Sequence, residues 1–177
     1  MTHRAPLIVV PYQNDWPNNF ATERLALEAI FAEPRFQIEH VGSTAVVGLS
    51  AKPIIDIMIG ASSLSEIDER IDSMTALGYE YMPHHERTIP LRRFFAKPII
   101  RPRAFHLHAV TINGSFWNDH LLFRDALRND LRLANDYAAL KSQLAQQFGE
   151  DREAYTDAKG SFISAALSDV WISKTRA

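Results

Sequence analysis

The stretch Pro53-Ile54-Ile55-Asp56-Ile57-Met58-Ile59 narrows the possible folds more than any other part of the chain. It is a nearly continuous apolar run that carries one acid. A short run of this kind fits a strand buried on both faces, and such strands lie in sheets covered by helices on either side. Gly60 is expected to end it. An aspartate inside a buried strand is unfavourable unless it is paired or bound to a metal. The same seven residues therefore mark where chemistry is to be sought.

The remaining pattern supplies the layers. Asp15-Trp16-Pro17 reads as a helix start, with proline tolerated in the first turn, and Phe20, Leu25, Ile30 and Phe31 form an apolar stripe that ends near Glu33-Pro34. A strand over 36–41 enters Gly42-Ser43-Thr44, and 45–51 reads as a short connection with a helical turn. Leu64, Ile67, Ile71, Met74 and Leu77 make one amphipathic helix, capped by Ser62 or Ser65 and closed by Gly78. Strands are expected over 79–81, 91–96 and 104–112, with a histidine-rich loop over 82–90 and a turn at Asn113-Gly114. Helices are expected over 116–129, 131–148 and 152–173. Leu7-Ile8-Val9-Val10 is an edge strand or an extended arm. This order predicts an α/β (α+β) fold, a mixed β-sheet flanked by helices with a helical C-terminal segment, read as one domain over 1–177. With 46% hydrophobic residues, a chain of 177 residues can fill one sizeable core.

Composition excludes several classes. The formal net charge of −2 argues against a dedicated nucleic-acid binder, so nucleic acid is not an expected partner. There is no cysteine, hence no disulfide, thiolate metal site or cysteine nucleophile. Residues 1–10 carry too short an apolar stretch for a signal peptide, and no run approaches the roughly 18 apolar residues that span a bilayer. A cytoplasmic location without a membrane partner is the expectation. The sequence does not specify an oligomeric state.

A strand that ends in Gly42-Ser43 and turns into helix offers free N–H groups and a hydroxyl to an anion. Asp56 beside such a corner suggests Mg²⁺, which favours oxygen ligands. Taken alone, these features also fit a structural turn and a structural acceptor. His40-Val41-Gly42-Ser43-Thr44-Ala45-Val46-Val47-Gly48-Leu49 with Ala51-Lys52-Pro53-Ile54-Ile55-Asp56-Ile57 resembles the signature of the GrpB family, in the polymerase-β-like nucleotidyltransferase superfamily. The resemblance extends to Pro11-Tyr12 with Trp16, Phe20 and Glu23, to His106-Leu107-His108, to Phe123-Arg124-Asp125 through Tyr137-Ala138-Ala139-Leu140-Lys141, and to Tyr155-Thr156-Asp157-Ala158-Lys159.

The resemblance implies a nucleotidyltransferase-like fold and a metal-dependent transfer of a nucleotidyl group from a nucleoside triphosphate, or a related phosphorylated small molecule, to an acceptor. Gly42, Ser43 and Thr44 would hold phosphates, and Asp56 with His106 or His108 would hold a divalent metal, Mg²⁺ or else Mn²⁺ or Zn²⁺. Asp56 and His108 would be catalytic. Active superfamily members carry a second acid two places on, where this chain has Met58. That departure opens the alternative of a degenerate nucleotide- or anion-binding module, in a family whose domains can be fused to dephospho-coenzyme A kinase.

His106 and His108, at i and i+2 on a strand, share one face; the competing reading is a core hydrogen-bond partner and a partly exposed neighbour. Lys52 either neutralises phosphate or pairs with Asp56 or a helix end. Tyr155 and Lys159, at i and i+4, either close over the cleft or are a packed tyrosine and a solvated lysine. Arg92, Arg93, Lys97, Arg101 and Arg103, interleaved with Phe94, Phe95 and Phe105, read as an anion-binding stretch or a charged sheet edge.

Overall fold

The computed structural model describes residues 8–149 and 151–175. Leu7, and most of the segment weighed as a signal peptide, lie outside them. Five strands, β1 Gln37–Val41, β2 Ile55–Ala61, β3 Glu80–Tyr81, β4 Arg92–Lys97 and β5 Phe105–Thr111, form one mixed sheet in the order β1-β2-β5-β4-β3. β2 is antiparallel to β1 and parallel to β5, and β4 is antiparallel to β5 and β3. Among the described residues no helix is long and apolar enough to cross a membrane.

Alternation along β2 divides the chain into two faces. Ile55, Ile57 and Ile59 join Leu107, Phe95, Leu27, Ile67 and Met74 in the main core, under helices α1 Trp16–Glu28, α2 Leu64–Asp68 and α3 Ile71–Ala76. Ile57, Ile59 and Leu107 are each 0% exposed, and full burial of such a side chain contributes about 1.5–3 kcal/mol. On the other face Val41, Met58 and Val110 pack on Trp117 of α4 Ser115–Asn129. The last helices, α5 Leu131–Phe148, α6 Arg152–Ala158 and α7 Gly160–Thr175, extend this layer. Val46 and Leu49, just past β1, pack against Leu127, Ala134 and Tyr137.

The expected elements are present with informative shifts. The stripe from Leu64 to Leu77 is carried by two short helices whose joint is Arg70, with its guanidinium over the rings of Phe31 and Phe36. Glu66 caps α2 by accepting from the Ser63 N–H at 3.2 Å. α1 stops at Glu28, short of Pro34, because the N–H groups of both Ile30 and Phe31 turn back to the Leu27 carbonyl. Val10 forms an isolated antiparallel bridge with Ala51, as an extended arm would. The final helix divides at Lys159, immediately before Gly160, a residue with little helical preference.

β2 also runs on through Gly60 to Ala61. A Cβ at Gly60 would stand 2.4 Å from Ile112 Cγ1 and 2.7 Å from Trp117 Cζ3, so this glycine marks a close approach inside the strand, not its end. Gly60→Ala is expected to lower stability by about 1–3 kcal/mol through overpacking, read as a lower urea midpoint at unchanged slope. An unchanged midpoint would show that Trp117 yields freely.

Candidate functional site

The register sets Val41, the last residue of β1, opposite Asp56 near the start of β2. The chain leaving β1 therefore turns directly beside the acid. Gly42 makes that turn at φ 72° and ψ −172°, a region essentially restricted to glycine. A Cβ there would lie 2.6 Å from Asp56 Oδ2, so the carboxylate rests against the bare glycine backbone. Ser43–Ala45 then form a 3₁₀ turn, whose first N–H groups have no carbonyl within the turn to bond.

Helix α4 and β1 hold this corner in place. Arg128 donates through Nε and Nη2 to the Ala45 carbonyl at 3.0 and 2.8 Å. Arg124 Nη1 donates to Glu39 Oε2 at 2.6 Å and to the His40 carbonyl at 3.1 Å. The Thr44 hydroxyl, 1% exposed, is hydrogen-bonded to His40 Nε2 at 2.9 Å, and His40 stacks on Phe20. The hydroxyl of Thr44 thus braces the corner, and its backbone N–H is what remains for an anion. Burial pushes the His40 imidazole down to about 4, so it is neutral in this role.

Parallel pairing of β2 with β5 sets His106 beside Asp56 and His108 beside Met58. His106 Nδ1 and His108 Nε2 lie 3.5 and 3.7 Å from Asp56 Oδ1. Burial opposes ionisation of Asp56, but these imidazoles outweigh it and hold the carboxyl well below the usual carboxylate range. The Asp56 side chain keeps 33% exposure, so the acid opens to solvent. His108 Nδ1 lies 3.3 Å from Arg92 Nη1. A guanidinium only donates, so Nδ1 accepts, and a neutral His108 carries its proton on Nε2, toward Asp56. Burial holds His108 neutral, down to about 4.

Across the corner stand three lysines. Lys141 on α5 is 3% exposed; its Nζ donates to Ser43 Oγ at 3.0 Å and to the Ser50 carbonyl, and lies over the Tyr137 ring. Tyr155, 1% exposed beneath the site, carries Lys159 Nζ at 4.5 Å and Lys52 Nζ at 5.8 Å from its ring centroid. With both lysines on it, Tyr155 serves as their platform and offers no free surface to a base. Among the described residues neither Lys141 nor Lys159 has a carboxylate within ion-pair reach. Burial lowers Lys141 to about 7, with Lys159 adding to it, and lowers Lys159 to about 8, with Lys52 adding to it.

Of the residues singled out in the sequence, Gly42, Ser43, Asp56, His106, His108, Lys52, Tyr155 and Lys159 converge at one end of the sheet. Lys141 and Arg92 complete the group without having been singled out for it. Lys141 had a signal: with Ala134, Tyr137 and Leu144 it lies in the buried stripe of α5, where a lysine is out of place. The basic stretch around β4 divides. Arg93 pairs with Asp68 at 2.6 Å, Lys97 with Glu23 at 2.8 Å, and Arg103 with Glu80, while Arg92 turns to His108.

A family model described as GrpB protein matches residues 6–169. The chain is 31% identical over 172 residues to the glutamate-rich protein GrpB of Alkalihalophilus pseudofirmus, covering 95% of this chain and 98% of that protein. It is 29% identical to a dephospho-CoA kinase of Mycolicibacterium paratuberculosis, with 95% of this chain aligned to 47% of that protein. The crystal structure of the conserved protein GrpB from Enterococcus faecalis matches with a TM-score of 0.82 and 33% identity, covering 92% of this chain and 96% of that one. The Cid1 poly(U) polymerase in its MgGTP-bound structure shares the fold at a TM-score of 0.51 and 15% identity, covering 78% of this chain and 44% of that one.

Proposed function

The chain belongs to the GrpB family, and from that membership and the fold it shares with Cid1 we propose that it is a polymerase-β-like nucleotidyltransferase, transferring a nucleotidyl group from a nucleoside triphosphate to a small acceptor. The observation that most supports this reading is the wall of Lys52, Lys141 and Lys159 facing a lone carboxylate across the Gly42-Ser43 corner. The N–H groups of Ser43 and Thr44 and the Ser43 hydroxyl bind the β- and γ-phosphates. Lys141, already bonded to Ser43, and Lys159 stabilise the pyrophosphate as it departs.

The donors suit a divalent cation that arrives with the triphosphate. Mg²⁺ keeps several waters and takes one or two carboxylates plus substrate phosphates. Asp56 would hold it, with Mn²⁺ as a substitute and His106 alongside. When bound, the cation would offset charge on the attacked α-phosphate and on pyrophosphate. A zinc site, which takes three or four protein ligands, does not fit. Met58 is 0% exposed among Val41, Val110 and Trp117, His108 directs a proton at Asp56, and among the described residues no three His, Asp or Glu side chains are arranged to hold a metal ion by themselves. His108 acts instead by holding the carboxylate ionised and in place.

Pyrophosphate release over panels of nucleoside triphosphates and small acceptors, with Mg²⁺ or Mn²⁺, tests the proposal. Cation-dependent release supports it; triphosphate that fails to bind sinks it. Buried Met58 favours one second reading, a nucleotide-binding module without turnover in an accessory role, as joining to a kinase would suit. Tight binding with no release under any cation would select that reading.

Lysines held near 7 and 8 imply proton uptake. Below those values both are charged in the free protein; above them both have lost the proton that a bound phosphate demands. Triphosphate binding near pH 8 is therefore expected to take up between about one and one and a half protons, and affinity is expected to fall as pH rises through this window. Calorimetry in buffers of differing ionisation enthalpy measures the uptake. Lys141→Met should remove more than half of it and weaken binding by about 10–100-fold, the effect of one charge-assisted contact. Uptake that is the same in both proteins would remove Lys141 from the phosphate site.

A further inference from the structure

Arg92 on β4 is out of keeping with its neighbours. Arg93, Lys97 and Arg103 each have a carboxylate partner, whereas among the described residues no carboxylate comes within ion-pair reach of Arg92. Its guanidinium lies over Phe94 and Phe116, 5.0 and 5.7 Å from the ring centroids, and its buried Nε has no hydrogen-bond partner. A half-buried cation with an unmet donor is unfavourable unless something answers it. The groups around it do not. His108 Nδ1 accepts one bond, and His120, stacked on Phe116 at 3.9 Å, donates its own Nδ1–H to the Phe116 carbonyl at 2.8 Å. His85 and His106 each pack against the ring of Phe94. The surroundings hold imidazoles and aromatic faces, and Asp56 lies beyond the His108 ring.

Sheet order gives the location its meaning. The phosphate corner follows β1, Asp56 is on β2, the histidines are on β5 and Arg92 is on β4, four neighbouring strands in that sequence. Displacement at phosphorus is in line, with attacking and leaving oxygens on opposite sides. With pyrophosphate drawn to the lysines beside β1, the acceptor must approach from the side of β5 and β4.

We infer that Arg92, with His108 and His120 beside it, forms the acceptor subsite, and that the acceptor is a small hydroxyl compound bearing an anionic oxyacid group, a carboxylate or a phosphate monoester. This rests on the transferase reading above. The acceptor oxygen forms a bond to the α-phosphorus, the bond from that phosphorus to the β-bridging oxygen breaks, pyrophosphate leaves with the electron pair, and the hydroxyl proton passes to solvent. Arg92 binds the oxyacid group and so aims the hydroxyl past His108 at the phosphate held near Asp56.

The test titrates glycerol phosphate, glycerate and glycerol into the full chain saturated with an α,β-methylene nucleoside triphosphate and Mg²⁺. One or both anions are expected to bind, glycerol is not, and the anion that binds names the acceptor class. Arg92→Met should weaken that binding at least tenfold, Arg92→Lys by less, and both should leave triphosphate affinity within about twofold. In the unmodified chain the same anion should shift the ring nitrogen resonances of His108 and His120, a readout that depends on no variant. Equal anion binding by Arg92→Met, equal binding of glycerol, or no anion binding while triphosphate is bound would each overturn the subsite alone. Failure of triphosphate itself to bind would instead sink the transferase reading on which it stands.

Discussion

Asp56→Asn is expected to lower pyrophosphate release by about 10²–10³-fold, the range seen when one preorganised charge-stabilising group is removed from a site. The shape of the residue is conserved and its side chain is one-third exposed, so the fold should survive. What changes is charge. Asp56 is held ionised by His106 and His108, and it is the acid that faces the lysine wall. Without it a divalent cation has no carboxylate to join, and the dependence of rate on Mg²⁺ should flatten. Binding should move the other way. In chelator, with no cation present, a carboxylate repels triphosphate, so the asparagine variant should bind triphosphate as well as the unmodified chain or a few-fold better. Initial rates and metal-free calorimetry together give the answer. A variant that keeps its rate within tenfold, or that loses metal-free binding, would show that Asp56 does something other than support a cation.

Gly42→Ala should destabilise the protein by about 3 kcal/mol, lowering Tm by roughly 10 °C for a chain of this size. Two effects add. An alanine at φ 72° is strained, and its Cβ would lie 2.6 Å from Asp56 Oδ2, so either the corner or the carboxylate must move. Gly48 separates the two. It has φ 81°, but a Cβ added there would meet nothing within 4 Å, so Gly48→Ala carries strain alone, about 1–2 kcal/mol. Triphosphate affinity should fall more than tenfold in Gly42→Ala and stay unchanged in Gly48→Ala. Equal behaviour of the two variants in melting and in binding would mean that the glycine corner and the acid are not one unit.

Much of the fold was legible because local pattern and tertiary role agree. The apolar run around Asp56 is a central strand, the helix expected over 131–148 is α5, and the turn at Asn113-Gly114 occurs with Asn113 at φ 63°. Two of the misplacements turn on a glycine. Gly60 reads as a stop, but Trp117 and Ile112 fill the space of its missing side chain, and no local window contains Trp117. Gly160, passed over in an apolar helical pattern, is where the last helix divides.

The site was half legible for a similar reason. Gly42, Ser43 and Asp56 stand close in sequence and meet across one strand pair. Lys141 reaches Ser43 from 98 positions away, and only packing of α5 on the corner could reveal it. Arg92 was hidden among basic neighbours of similar appearance. What distinguishes it is the absence, among the described residues, of the ion pairs that Arg93, Lys97 and Arg103 make, and those depend on Asp68, Glu23 and Glu80 from elsewhere in the chain.

The bond between Lys141 and Ser43 has a thermodynamic implication. One wall of the cleft belongs to a segment near the start of the sheet and the other to the helical end of the polypeptide, so the cleft cannot exist until both have docked. On the proposed function, a polyphosphate gripping both walls would act as a removable staple across that long loop, and its affinity would add to native stability as RT ln(1 + [L]/Kd). Ligand and architecture would then be coupled: whatever loosens the last helices from the corner would release the anion, and whatever supplies the anion would fasten the helices.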